Sequence, residues 1–206
     1  MKKAKQRAAL AAPWLAYTDL LSSTLMILTV AIVISALARF ASQKPPIIRL
    51  SDAADYRFET GSYTISPQFK RQLITHQLPE MEKVIRCYGI DTIEIIGHTD
   101  SRPNSGAGNL DSFANDKDKI LAKGVMSGSN ADLGLLRAIS VEGLLKRHLQ
   151  TKYKELNFHS YSASSFVKPE NSNKPTHGKT GGDQQAKRRI EVRFTRSEVA
   201  TSIPRC

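Results

Sequence analysis

Between Ala8 and Ala38 the chain carries a single charged residue, Asp19, and the densest part, Leu20 to Ala38, reads LLSSTLMILTVAIVISALA. A bilayer core takes about 20 mostly apolar residues as a helix, so this stretch is long enough to cross one. Lys2, Lys3, Lys5 and Arg7 precede it with no acid among them, and basic flanks stay on the cytoplasmic side. The reading is a cytoplasmic basic tail over 1–12 and a transmembrane helix over 13–40, with the rest of the chain periplasmic. Trp14 and Tyr17 suit the membrane interface at the entry point. A cleaved signal peptide is the competing reading. The start is basic, and Ala36-Leu37-Ala38 has the small residues of a cleavage site. Against it, the uncharged stretch beyond Asp19 exceeds the roughly 7–15 residues of an ordinary signal-peptide core.

An acid within a membrane helix costs about 2.5–3.5 kcal/mol on insertion scales. Asp19 lies about 7 Å along the helix from Trp14, at about 1.5 Å per residue. That depth is shallow enough for a bland reading, a solvated residue at the headgroup boundary. The functional reading is a carrier of protons or sodium ions that faces a partner helix. Ser22 and Ser23, three and four residues on, share the Asp19 face and make it a polar stripe. Lipid offers such a stripe no partner, whereas another helix does.

With 206 residues and a net charge of +11, the chain has room for one domain and its attachments. Its 40% hydrophobic and 24% charged content belongs to a folding sequence rather than a disordered one. A basic balance fits nucleic acid, a membrane surface or the anionic cell wall. No zinc-finger, RNP or helix-turn-helix pattern supports nucleic acid. His76, His98, His148, His159 and His177 lack metal-ligand spacing, and no nucleophile is paired with a base in a known motif. Gly181-Gly182 reads as a turn. No enzyme activity, metal or cofactor is therefore expected. Cys87 and Cys206 form no CxxC pair, and Cys87 is read as a small packed hydrophobe.

Residues 41–54, ASQKPPIIRLSDAA, read as a short periplasmic linker. A strand over Tyr56–Thr60 follows. Ser66 as N-cap and Pro67 in the first turn open a helix, whose apolar face is Phe69, Leu73, Met81, Val84, Ile85 and Tyr88. Pro79 is expected to break or kink it, and Gly89 to end it. Thr92–Ile96 is a β-branched strand. A second helix begins near Leu133 and buries Ala138, Val141 and Leu145. Phe158–Phe166 and Lys187–Phe194 are the last strands. The expected class is α+β, with helices on one face of a mixed sheet in the order β/α/β/α/β/β.

Several of these residues carry a resemblance. Trp14-Leu15-Ala16-Tyr17-Thr18-Asp19 resembles the opening of the membrane helix in motility protein B, where the aspartate carries the ion. Ile95-Ile96-Gly97-His98-Thr99-Asp100 resembles a strand end of the OmpA-like peptidoglycan-binding domain. Asn130-x-x-Leu133-Gly134-x-x-Arg137-Ala138-x-x-Val141 resembles that family's helix start, and Arg188-Arg189-Ile190-Glu191 its closing strand. The resemblance implies an OmpA-like sandwich over 55–200, with 101–129 as an inserted loop and 201–206 as a tail. Gly134 stands where the family has serine and is read as an N-cap glycine. Lys187 stands where the closing block has asparagine.

Diaminopimelate-type peptidoglycan presents a carboxylate and an ammonium on one stem residue. By resemblance Asp100 takes the ammonium and Arg137 the carboxylate, through a bidentate fork and beside a helix N-terminus. Asn130, Leu133 and Thr99 complete that pocket. The resemblance further implies a polytopic A subunit as partner and a homodimer within a hetero-oligomer. Of the two stator families with this plan, the linker leaves no room for the amphipathic plug of flagellar motility B subunits. It fits the B subunit of the Zorya anti-phage defence system better. A passive wall tether, membrane-anchored or secreted, is the alternative, and it gives Asp19 no task.

Overall fold

A computed structural model describes residues 2–41, 45–52, 55–104, 106–113, 120, 124–167 and 185–196. The chain divides into two units, Met1–Lys44 and Pro45–Cys206.

The first unit is one helix, α1 (Lys2–Ala41), and it contains the whole stretch read as membrane-spanning. Within it, Ala16–Ala38 is long and apolar enough to cross a bilayer, at about 34 Å for about 1.5 Å per residue. Its described side chains are exposed all round, from Trp14 and Leu20 to Leu37. Thr18, Ser23, Thr24 and Thr29 turn their hydroxyls back to helix carbonyls, as Ser23 does to Leu20 O at 3.0 Å. Such back-bonding hides the polar group from an apolar solvent.

The second unit is a four-stranded mixed sheet with helices. Its described elements are β1 (Ile48–Ser51), α2 (Pro67–Gln72), a π turn (Leu73–Gln77), α3 (Leu78–Tyr88), β2 (Thr92–His98), α4 (Asn130–Leu149), β3 (Asn157–Ser164) and β4 (Arg189–Thr195). The strands lie in the order β1-β4-β2-β3. β4 pairs antiparallel with β1 and β2, whereas β2 and β3 run parallel across the α4 crossover. The α+β class and the order β/α/β/α/β/β are those expected.

The first strand is a correction. It is Ile48–Ser51, inside the segment read as a linker, and Tyr56–Thr60 is not a strand. Four residues behind Pro45-Pro46 give almost no local signal. Their pairing, Ile48 with Val192 and Leu50 with Ile190, is supplied by the far end of the chain. Leu50 points into the core, so the folded unit begins near Pro45 rather than at residue 55.

The first helical segment starts as expected. Ser66 Oγ accepts from Phe69 N at 3.1 Å, and Pro67 opens the first turn. Pro79 does not break the run. The π turn precedes it, and Leu78 N–H reaches back to Leu73 O. The wider turn relieves the clash between a proline ring and the carbonyl of the preceding turn. Gly89 ends α3 in the left-handed conformation, φ 59°, donating to Ile85 O. Phe69, Leu73, Met81, Val84 and Ile85 are buried against β-sheet residues Ile93, Ile95, Ile190, Val192 and Phe194 and against Ala138, Val141 and Leu145 of α4.

Two further readings change. The N-cap of α4 is Ser129, whose hydroxyl accepts from Asp132 N at 3.1 Å, so Gly134 lies inside the helix. There its backbone packs on Gly97 of β2. A Cβ on Gly97 would sit 1.9 Å from Gly134 O, so this close approach needs glycine. The insertion 101–129 does not simply loop out. Its Ile120 and Val125 pack on Leu136 and Ile139, on the side of α4 away from the main core. Tyr63 Oη donates to Val125 O at 3.1 Å, and the Asn109 side chain bonds both Gly124 O and Met126 N. Cys87 is disulfide-bonded rather than free. Cys206, the chain's other cysteine, lies outside the described residues.

Candidate functional site

The end of β2 is re-aimed by a bulge. Register slips between Gly97 and His98, so His98 pairs with Ser164 instead of Ala163. Bulges turn the following side chains out of the sheet's regular alternation. Thr99 N then donates to Ser164 O at 2.9 Å, and Ser164 itself takes a left-handed φ of 50°. Thr99 and Asp100 are thereby set at the mouth of a cleft of about 80 Å³ between the strand end, the start of α4 and the 57–61 turn. All five residues singled out for peptidoglycan binding, Thr99, Asp100, Asn130, Leu133 and Arg137, line it.

Asp100 is 5% exposed and its carboxylate is already engaged. Oδ2 accepts from Arg102 Nε and from Arg188 Nη1, both at 2.8 Å, and Oδ1 accepts from Arg102 N at 3.2 Å. Arg188 continues to Asp52 through its Nε, and Asp52 accepts from Phe58 N at 3.3 Å. Asp52, Arg188, Asp100 and Arg102 thus form a chain of alternating charge.

Arg137 is 4% exposed, about two turns into α4. Its Nε donates to Ser62 O at 2.9 Å and its Nη2 to Glu59 O at 3.2 Å, with the guanidinium 5.0 Å over the Phe58 ring. Burial pulls its pKa down to about 10, against the opposing pull of Asp52; the group stays charged at neutral pH. Nη1 has no partner among the described residues. The expected bidentate fork is therefore partly committed to the protein's own carbonyls through Nε and Nη2.

The remaining members have mixed roles. Thr99 Oγ1 is buried without a partner among the described residues, and Thr99 lines the cleft. Asn130 Nδ2 donates to Arg102 O at 2.7 Å and Asp100 O at 3.3 Å, tying the strand end to α4. Leu133 supplies an apolar wall. The α4 N-terminus offers less to an anion than expected. Ser129 takes the Asp132 and Leu133 amides, and the Asp132 carboxylate sits in the first turn, where it offsets the helix dipole.

Behind the cleft, His98 is buried with neither ring nitrogen hydrogen-bonded among the described residues. Its Nε2 lies 3.6 Å from Glu191 Oε1. Burial, and then Arg189, push its pKa down to about 4, so it is neutral. Burial works to raise the Glu191 pKa, but hydrogen bonds from Arg189 at 2.9 Å and Arg193 at 3.0 Å overcome this and hold it below the usual carboxylate range.

Sequence reasoning missed Asp52, Phe58, Arg102 and the bridging role of Arg188. Arg188 was in view as part of the closing strand, and Arg102 follows Asp100 by two residues. Asp52 and Phe58 reach the site only through the long-range pairing of β1. Asp19, Ser22 and Ser23 lie on α1, exposed on its surface.

No protein-family model matches the sequence, and no curated protein does. Among solved structures, the chain is similar to the periplasmic domain of Helicobacter pylori MotB, at 15% identity over 75% of this chain and 78% of that one, with a TM-score of 0.45. It is similar to the cell wall anchor of the T6SS from Pseudomonas aeruginosa, at 18% identity over 73% and 81%, with a TM-score of 0.40. A MotB-like protein from Desulfovibrio vulgaris shares 15% identity over 73% and 74%, with a TM-score of 0.41.

Proposed function

We propose that this chain is the B subunit of an ion-driven inner-membrane stator that grips peptidoglycan and serves anti-phage defence. The observation that carries the wall-binding half is the cleft. It brings a carboxylate, Asp100 just past the end of β2, and a guanidinium, Arg137 of α4, to one cleft, together with a buried Thr99 hydroxyl that has no partner among the described residues. An ammonium and a carboxylate on one diaminopimelate residue match that pair. The disulfide at Cys87 supports an oxidising compartment, hence a periplasmic second unit.

The motor half rests on α1. Asp19 lies within an apolar span, with Ser22 and Ser23 on its face. In the proposed complex α1 pairs with a second copy and inserts beside a polytopic A subunit. There Asp19 takes up a proton or sodium ion and releases it, and the wall-bound domain holds the complex still while the partner helices move. A passive tether would share the cleft and leave Asp19 idle.

Two measurements test the two halves. Purified sacculi should retain the wild-type protein and lose at least about tenfold of it with Arg137→Ala, since a buried charge contact is worth roughly 1.5–3 kcal/mol. Phage plating on cells carrying the native locus should show protection by wild type and none by Asp19→Asn, at equal membrane levels. Equal protection by both removes the motor reading and leaves a tether; absence of protection by wild type removes the defence assignment.

A further inference from the structure

Two cations at the cleft meet no carboxylate among the described residues. Arg137 spends Nε and Nη2 on backbone carbonyls. Arg57, which also lines the cleft, is exposed and makes no hydrogen bond or ion pair there. The other two arginines of the lining are engaged: Arg188 lies between Asp52 and Asp100, and Arg102 holds Asp100 and has a further contact besides. Among the described residues Asp100 is the one acid of the lining, and neither Asp55 nor Glu59 pairs with Arg57. The Arg57 side chain is unbonded, yet its backbone is fixed. Tyr56 and Phe58 on either side both pack edge-on against Phe69, with ring centroids 5.4 and 5.0 Å from it. The turn that follows is closed by Ser62 N on Glu59 O at 3.0 Å, with Gly61 left-handed at φ 71°. The two carbonyls that Arg137 holds, Glu59 O and Ser62 O, belong to this same turn. One arginine thus fixes the segment that carries the other.

We propose that Arg57 is a specificity-determining residue that binds a second carboxylate of the wall ligand, on the stem residue next to the zwitterionic one. The inference rests on the reading of the cleft as a diaminopimelate site, with that residue's own carboxylate at Arg137. In such a stem the preceding glutamate is joined through its side-chain carboxyl, so its α-carboxylate is free. A neutral zwitterion answers Arg137 with its one carboxylate and leaves Arg57 bare. A stem with the additional carboxylate answers both cations, and the planar guanidinium suits that group. Amidation of the glutamate carboxylate keeps the shape and removes the charge. Arg57 thus favours stems with the free acid over amidated ones.

The test is calorimetric titration of the full chain in detergent with two diaminopimelate-containing stem tetrapeptides. They are identical except that the glutamate α-carboxylate is free in one and amidated in the other. Wild type should bind the free acid about fivefold more tightly, the scale of an ion pair at an exposed rim. Arg57→Gln should lose that margin and bind both peptides as wild type binds the amide. Arg57→Lys, which keeps the charge without the fork, should retain part of it. Arg57 makes no bond within the described fold, so both variants should melt with wild type. A preference for the free acid that survives in Arg57→Gln overturns the inference, as does equal binding of the two peptides by wild type. Asp100→Asn separates the two levels. If it abolishes binding of both peptides while Arg57→Gln changes nothing, the cleft reading stands and the role of Arg57 falls. If wild type binds neither peptide, or binds them regardless of Asp100, both fall together.

Discussion

His98 shows how much one buried ring can set. It sits two residues before the proposed ligand carboxylate, with no hydrogen bond to either nitrogen among the described residues and Arg189 nearby to oppose a positive charge. In the unfolded chain its pKa is near 6.5; folded, it is about 4. The unfolded state therefore binds the extra proton first as pH falls. The contribution to stability is complete above pH 6.5 and is lost progressively down to about pH 4. At about 1.36 kcal/mol per pH unit this comes to about 3 kcal/mol. Thermal melts between pH 7 and 4 should show the loss, and His98→Gln should flatten that slope, leaving the fall below pH 4.5 that Glu191, its pKa lowered, contributes. An unaltered slope in the variant would assign the acid sensitivity elsewhere. At this scale the sequence spoke clearly where chemistry is local. Thr99, Asp100, Asn130, Leu133 and Arg137 do line one cleft. It was silent on who else touches Asp100, because Arg188 is brought there by β4 pairing and Asp52 by β1 pairing.

Elements were readable in proportion to how much of their stabilisation is their own. Ser66, Pro67 and Gly89 mark their helix ends by local hydrogen bonding and backbone preference. β1 has no such mark, and only β4 gives it a place. Gly134 was misread for a related reason. A glycine near a helix start looks like a cap, whereas here it lets α4 approach β2 at Gly97. The two glycines should respond unequally to added bulk. At Gly97 a methyl group meets the Gly134 carbonyl, which is backbone and cannot step aside. Gly97→Ala should cost at least the roughly 1–3 kcal/mol typical of overpacking. At Gly134 the nearest atom is the Ser162 hydroxyl, 2.4 Å away, which can rotate, and the Gly97 carbonyl oxygen follows at 3.0 Å, a tight contact but far looser than the 1.9 Å met at Gly97. Alanine there also recovers about 1 kcal/mol of helix propensity. Urea unfolding of both variants should place Gly134→Ala well above Gly97→Ala in midpoint. The reverse order would mean that the helix–strand contact is looser than its geometry.

For the molecule as a whole, the disulfide links stability to compartment. Cys87 lies in α3, buried at the edge of the core, and the one other cysteine in the chain is its last residue, Cys206. A disulfide typically stabilises by about 2–4 kcal/mol, chiefly by restricting the unfolded chain. Such a bond persists in the periplasm and is reduced in the cytoplasm. In the proposed topology the second unit is periplasmic, and the cysteine chemistry offers an independent measure of that placement. Intact cells treated with a thiol-reactive polyethylene glycol under denaturing quench should yield protein without added mass, and two additions should appear only after reduction. The reduced protein should also melt several degrees lower. Free thiols in freshly quenched cells would put the second unit on the cytoplasmic side. The Asp100–Arg137 cleft could not then meet the cell wall, whatever its affinity for a stem peptide.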